Sequence, residues 1–246
     1  MKSKTFLLLI IALLVSSAVQ ADQNADFAKA NENYGTGHFQ EAVEGYQGLV
    51  KSGQWSANLF YDLGNAHFRL GNFGEAILNY ERALALEPHH PETEANLRVV
   101  RDEARALELK KNAVERYLEA GTSAQYSIAA SLAFWLALFV AGHLFFSRRS
   151  SLSLVTLIIC STVVFVGAVF ALYLGKAGKE GHGLAIVTGK NIEARLATAD
   201  NANSVLALPP GSEIKILSER GDWIYAALPN DLRGWLPAKS AERVRL

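Results

Sequence analysis

The stretch YDLGNAHFRLGNFGEAILNYERALALEPHHP, residues 61–91, decides how the rest of the chain is read. Small and apolar residues recur along it at three- and four-residue intervals, as on one face of an α-helix. The pattern breaks at Gly71 and stops at Pro88. Glycine takes the left-handed backbone that closes a helix without steric cost, and proline cannot continue one. Two short helices joined by a tight turn are therefore expected. Phe73, Ala76, Tyr80 and Ala83 make the buried face of the second, and Gly64 and Ala76 are small where the two helices cross.

Displacing the sequence so that Gly37 falls on Gly71 also pairs Phe39 with Phe73, Glu41 with Glu75, Ala42 with Ala76, and Tyr46 with Tyr80. That shared offset and these residue types resemble the tetratricopeptide repeat, a helix–turn–helix unit that stacks into an α-solenoid. Residues 57–90 form the clearer copy. Residues 23–56 depart from it, with Ala30 for the glycine, Asn33 for the aromatic residue and Leu49 for the late alanine. Residues 91–119 open with Pro91, Glu92 and Glu94, which suit a helix start. With no glycine before Gly121, they read as one long capping helix, so the array spans 22–120.

Repeats of this kind carry no reacting centre, and their inner surface comes from the first helix of each pair. Here that surface offers Asn31, Tyr34, Tyr61, Asn65, Phe68 and Arg69, groups suited to a peptide or an extended partner segment. Tyr34 and Phe68 equally suit packing between repeats. His89-His90 reads as a solvated turn, since adjacent histidines there point apart and no third metal ligand is near.

The apolar residues are unevenly spread. Lys2 and Lys4 precede the run Phe6–Val15, and Val19-Gln20-Ala21 offers a cleavage site, so 1–21 is expected to be a signal peptide, an uncleaved anchor being the alternative. Residues 126–146 and 152–175 lack Asp, Glu, Lys and Arg, and each is long enough to span a bilayer core of about 30 Å. The link between them, 147–151, is so short that the spans form an antiparallel hairpin. Arg148 and Arg149 place that turn in the cytoplasm. Lys176, Lys179, Lys111 and Arg116 leave a plain charge count undecided, and the signal peptide settles it: both soluble arms face the non-cytoplasmic side. Ala129, Ala133, Ala137 and Ala141, with Gly167, Ala171 and Gly175, make small-residue stripes that let helices approach closely, either each other or a membrane partner. His143 is a single ionisable group near the cytoplasmic end, too few for a proton relay. Cys160, the one cysteine, excludes an intramolecular disulfide and reads as a small packed hydrophobe.

A glycine-rich linker, 176–183, leads to a segment in which the pattern turns from helical to alternating. LAIVT, NIEARLA, VLALPPG, EIKILSERGDWIYAAL and RGWLPA read as short strands, with Gly221-Asp222 in a hairpin turn. Five or six strands in 184–246 are expected to close into a small all-β barrel. Asn191-x-x-x-Arg195, Pro210-Gly211, Gly221-Asp222-Trp223 and Gly234-Trp235 resemble bacterial SH3-like domains. That resemblance implies binding of cell-wall peptides or protein segments. Trp223, Tyr225 and Trp235 suit a ligand groove; equally, at least one of the two tryptophans is expected in the core.

The order of parts (leader, repeats, two spans with an arginine turn, SH3-like tail) resembles the BatE proteins of the bacterial Bat (aerotolerance) system. The resemblance is strongest over LFYDLGNAHFRLGNFGEAILNYERALALEPHHPETEANLRVVRDEA. It implies work beside membrane-anchored von Willebrand factor A-type proteins and a MoxR-type AAA+ ATPase. The expected function is a non-enzymatic scaffold of the bacterial inner membrane, gripping protein partners in the periplasm. The alternative is a sensor or anchor that binds peptidoglycan through the SH3-like tail. A net charge of zero predicts no nucleic-acid partner. No G-x-S-x-G, H-E-x-x-H or P-loop occurs, so neither an enzyme nor a cofactor is expected.

Overall fold

The computed structural model describes residues 25–110, 123–147, 151–179 and 183–245. The expected leader over 1–21, most of the 147–151 turn and residues 111–119 of the expected 91–119 helix lie outside the described residues. The chain divides into two compact units, one from the parts up to Leu109 and from Gly183 onward, the other Lys110–His182.

Among the described residues the first unit begins with five helices: α1 (25–35), α2 (Phe39–Lys51), α3 (Ala57–Arg69), α4 (Phe73–Leu86) and α5 (Pro91–Ala104). Gly37 and Gly71 close α1 and α3 with φ of 85° and 73°. Ser56 caps α3 by accepting the Leu59 N–H, and Pro91 begins α5. Ala42, Val43, Tyr46 and Leu49 are buried in α2, and their counterparts one repeat on, Ala76, Ile77, Tyr80 and Ala83, are buried in α4. The crossing point also repeats, with its small residue moved. At Gly64 an added methyl would lie 2.7 Å from the Tyr80 ring. In the first repeat Ala30 takes that place, and Gly45 opposite it gives up its side chain, an ideal Cβ there lying 3.0 Å from the Ala30 Cβ. The Tyr80 ring is fully buried and cannot yield. Gly64→Ala is therefore expected to destabilise the repeats by about 1–3 kcal/mol through overpacking. The change should lower the urea midpoint and leave the slope unchanged.

The single capping helix expected over 91–119 is not formed. α5 ends at Ala104, where Arg105 turns left-handed (φ 53°) and the Ala106 N–H returns to the Arg101 carbonyl. Residues 106–109 then run extended onto the β-domain. The Leu107 N–H donates to Ser212 Oγ at 3.1 Å, and the Glu213 N–H donates to the Leu107 carbonyl at 2.8 Å.

The β-domain is antiparallel: β1 (Leu184–Val187), β2 (Ile192–Arg195), β3 (Ser204–Leu208), β4 (Glu213–Arg220), β5 (Trp223–Ala227), β6 (Arg233–Pro237) and β7 (Ala241–Arg243). Their order is β3-β2-β6-β5-β4-β1-β7. Among the described residues there are thus seven strands, where five or six were expected, and β3 and β7 stand at opposite ends of that order. The β4–β5 hairpin turns at Gly221 (φ 57°) and Asp222, as read from the sequence. Ala185, Val187, Ala194, Leu208, Ile214, Ile224, Ala226, Leu228 and Leu236 form the core. Neither Trp223 nor Trp235 joins it. On β5 the buried residues are Ile224 and Ala226, and on β6 Gly234 and Leu236, so strict alternation turns Trp223, Tyr225 and Trp235 to the other face.

Repeats and β-domain share a second core. Ile186 of β1 and Val244 pack with Ala76, Ile77, Leu78, Tyr80, Leu97 and Val100. β1 is thereby buried on both faces, Ala185 and Val187 inward and Ile186 toward α4. Two glycines permit the approach. A methyl at Gly74 would lie 2.9 Å from the Val187 carbonyl oxygen, and one at Gly211 (φ 87°) would meet Ile77. Around the shared core, Arg82 pairs with Glu242 at 2.9 Å and donates to the Arg243 carbonyl. Arg101 pairs with Glu81 at 2.6 Å and with Glu213 of β4.

Among the described residues the second unit has two helices, α6 (Ser123–Ser147) and α7 (Leu152–Lys179). Each holds a segment long and apolar enough to cross a membrane, Ala124–Phe146 and Leu152–Tyr173. α7 continues through Lys179, into the region read as linker. The expected small-residue stripes match the contact only partly. Ala133 and Ala171 are buried between the helices, but so are Ala130, Ser161 and Ala168, while Ala141 is exposed. A four-residue step advances about 40° around a helix of 3.6 residues per turn and drifts off the partner. Among the covered positions runs instead the series 126, 130, 133, 137, 140 and 144, alternating steps of four and three as in a left-handed pair. Cys160 lies away from the contact, exposed.

Candidate protein-binding surfaces

The row predicted on the first helices is held from behind by the second helices. The Tyr46 hydroxyl donates to Asn31 Oδ1 at 2.7 Å, and the Tyr80 hydroxyl donates to Asn65 Oδ1 at 2.7 Å. Both partners recur at the repeat period, so the second bond repeats the first. Burial pushes the ionisation of both phenols far up, so each remains a donor. Asn96 of α5 extends the row, donating to Asn65 Oδ1 at 2.9 Å and to the Tyr61 hydroxyl at 3.3 Å.

The rings and the guanidinium are anchored in the same way. Tyr34 meets Phe39 edge-on at 5.4 Å and Phe68 meets Phe73 at 6.1 Å, and both are half-buried against the helical cores. Tyr61 packs between Tyr80 and the His90 ring. Arg69 lies over the Phe39 ring at 4.5 Å, a cation–π contact joining one repeat to the next. All six predicted residues thus lie along the first-helix side, and each also has a packing or bonding role.

Three further groups on this side are not read as surface-forming residues from the sequence. His90 is no free turn residue: its Nδ1 accepts the Thr93 N–H at 3.3 Å, capping α5, and its Nε2 lies 3.4 Å from Asn58 Oδ1. Histidine is an uncommon helix cap, so nothing in the sequence marks it. Asn96 carries no motif signal either. Asp62 follows Tyr61 on α3 and is half-buried. Burial pushes its carboxyl up to about 6, with the charge of His90 pulling the other way.

A second surface lies on the β-domain. Tyr225 and Trp235 are cross-strand partners with ring centroids 5.0 Å apart, and Trp223 lies two residues along the same face. Arg195 pairs with Trp235 across β2–β6, its guanidinium fixed on the carbonyls of Asp200 and Ala202. The row combines stacking surface with a held cation. The residues of the SH3-like pattern serve the backbone here: Asn191 is left-handed (φ 55°), and the Gly211 N–H donates to the Val187 carbonyl.

Comparison with known families agrees with the helical part. The tetratricopeptide repeat model matches residues 57–90, which are α3, α4 and their flanks. Repeats of this family are protein–protein interaction modules, and the matched pair carries Tyr61, Asp62, Asn65 and Arg69.

Proposed function

We propose that the chain is a non-enzymatic, membrane-tethered scaffold that grips an extended segment of a partner protein along the first-helix side of its repeats. The observation that carries this reading is the row Asn31, Tyr61, Asn65 and Arg69, fixed by repeated Asn–Tyr bonds and by the Arg69–Phe39 stack. A row held before the partner arrives loses little side-chain entropy on binding. The same-side placement of both arms has independent support. Repeats and β-domain share one core, and the chain leaves that body after Leu109 and rejoins it at Gly183. A hairpin between two ends of one body fits spans that begin and finish on the same side of a bilayer.

The finer reading is that this side is the periplasm of a bacterium, the membrane the inner one, and the partners Bat-type von Willebrand factor A proteins with their MoxR-type ATPase. It rests on the order of parts. The test is a photo-crosslinking residue at Tyr61 or Arg69 in intact cells. Attachment to one or a few envelope proteins is expected, and attachment to cytosolic proteins alone would refute it.

The outward placement of Trp223, Tyr225 and Trp235 favours a second reading, a sensor or anchor in which the β-domain stacks on peptidoglycan. Full-length protein in detergent would then sediment with purified cell wall, and Trp235→Ala would abolish that. No co-sedimentation removes this reading.

A further inference from the structure

Asp62 has no task in the architecture of the repeats. The equivalent position is Ala28 in the first repeat and Asn96 in α5, one period away on either side, so the fold does not call for a carboxylate there. Among the described residues the Asp62 carboxylate makes no hydrogen bond and no ion pair, although it is half-buried. A carboxylate taken partly out of water without a partner costs stability. Such a group persists where it does something other than hold the fold.

Its surroundings indicate what it meets. Tyr61, Asn58 and Asn65 are on the same face of α3, within one turn. The charge of Asp62 opposes ionisation of the Tyr46 and Tyr80 hydroxyls, the two groups that bond the asparagines of the row. Among the described residues the one cation whose charge acts on Asp62 is His90, and its ring also caps α5, while Arg69 is stacked on Phe39. Repeat equivalence carries Asn58 and Arg69 onto Glu92 and Glu103 of α5, both exposed, so the row grows more acidic toward its end. Carbonyl oxygens of amides, phenol rings and an unmatched carboxylate suit a cation with an apolar stem.

We propose that Asp62 anchors a lysine or arginine side chain of the partner segment that lies along the repeats. This rests on the partner-binding reading and names the partner's chemistry. The segment is extended, with one cation fixed at Asp62 and no acidic residue facing α5.

The test uses full-length protein in detergent and a random decapeptide library as the probe, with wild type compared to Asp62→Asn. The substitution is nearly isosteric and removes a desolvated charge, so the variant stays folded. Wild type is expected to enrich Lys or Arg at one fixed position, and the variant to lose that preference while keeping the flanking ones. For the best selected peptide, replacing the cation by norleucine should weaken binding to wild type about tenfold or more, and hardly at all to the variant. Peptides selected without a fixed cation, or a preference unchanged in Asp62→Asn, would overturn the role of Asp62 and leave peptide binding standing. If neither protein selects any peptide, peptide binding by the repeats fails, and the Asp62 proposal with it.

Discussion

Arg101→Ala is expected to destabilise the unit of repeats and β-domain by about 3–5 kcal/mol, the cost of breaking a buried ion pair from one side. The Arg101 side chain is 15% exposed and bridges Glu81, at 16%, to Glu213, at 9%. Removing the guanidinium leaves two nearly buried carboxylates facing each other. It also cuts the charged link between α5 and β4. The measurement is urea denaturation followed by far-ultraviolet circular dichroism. A control separates lost charge from lost packing: replacing Arg101, Glu81 and Glu213 together by apolar residues of similar volume should recover most of the loss. A single variant that loses less than about 1 kcal/mol, the scale of an exposed pair, would show that the shared core alone holds the two parts together.

Acid should weaken the repeats through His67. Its ring is buried, 5% exposed, and neither nitrogen has a partner among the described residues. Burial lowers its pKa from the usual 6.5 to about 4. The folded state thus prefers the neutral ring. The stability associated with that preference is complete above pH 6.5 and drains away as pH falls from 6.5 to 4. At about 1.4 kcal/mol per pH unit the loss approaches about 3 kcal/mol. Asp62 has the opposite sign. Its carboxyl is raised, so its penalty is present above pH 6 and fades as pH falls toward its usual value. Glu75, raised by burial and by the Glu242 charge, acts in the same direction as Asp62. Wild type should therefore show a shallow pH dependence between 6.5 and 4, in which opposed slopes partly cancel. His67→Leu should remove one of them, and its denaturation midpoint should rise as the solution is acidified. A pH dependence in His67→Leu no different from that of wild type would rule out His67 as a sensitive group.

The repeats were legible in the sequence because their signals are local. Gly37 and Gly71, the buried faces of α2 and α4 and the proline stop all lie within a few turns of what they act on. The row Asn31, Tyr61, Asn65 and Arg69 was legible for the same reason. What fixes the row was less visible, because Tyr46 and Tyr80 reach Asn31 and Asn65 from the following helix. The trace was there: both members of the pair recur at the repeat period. The end of α5 was missed because the left-handed residue is Arg105, which carries no turn signal. The choice between groove and core for Trp223 and Trp235 needed the register of β5 against β6, since either face alternates equally well.

The docking of repeats on β-domain was the largest omission, and two weak signals bore on it. Leu184–Val187 is continuously apolar, the mark of a strand covered on both faces, and a reading by alternation alone gives it only one. Gly74 sits in the first turn of α4, where the repeat pattern has no use for glycine. Both are explained only by a surface far away in sequence, which composition and periodicity do not reach.

That shared core also orders events during synthesis. Ile186 and Val244 complete a surface that Ile77, Leu97 and Val100 begin, yet they leave the ribosome only after both apolar helices have done so. Until those residues arrive the nascent repeats keep one greasy flank uncovered, and a transiently exposed apolar surface is aggregation-prone.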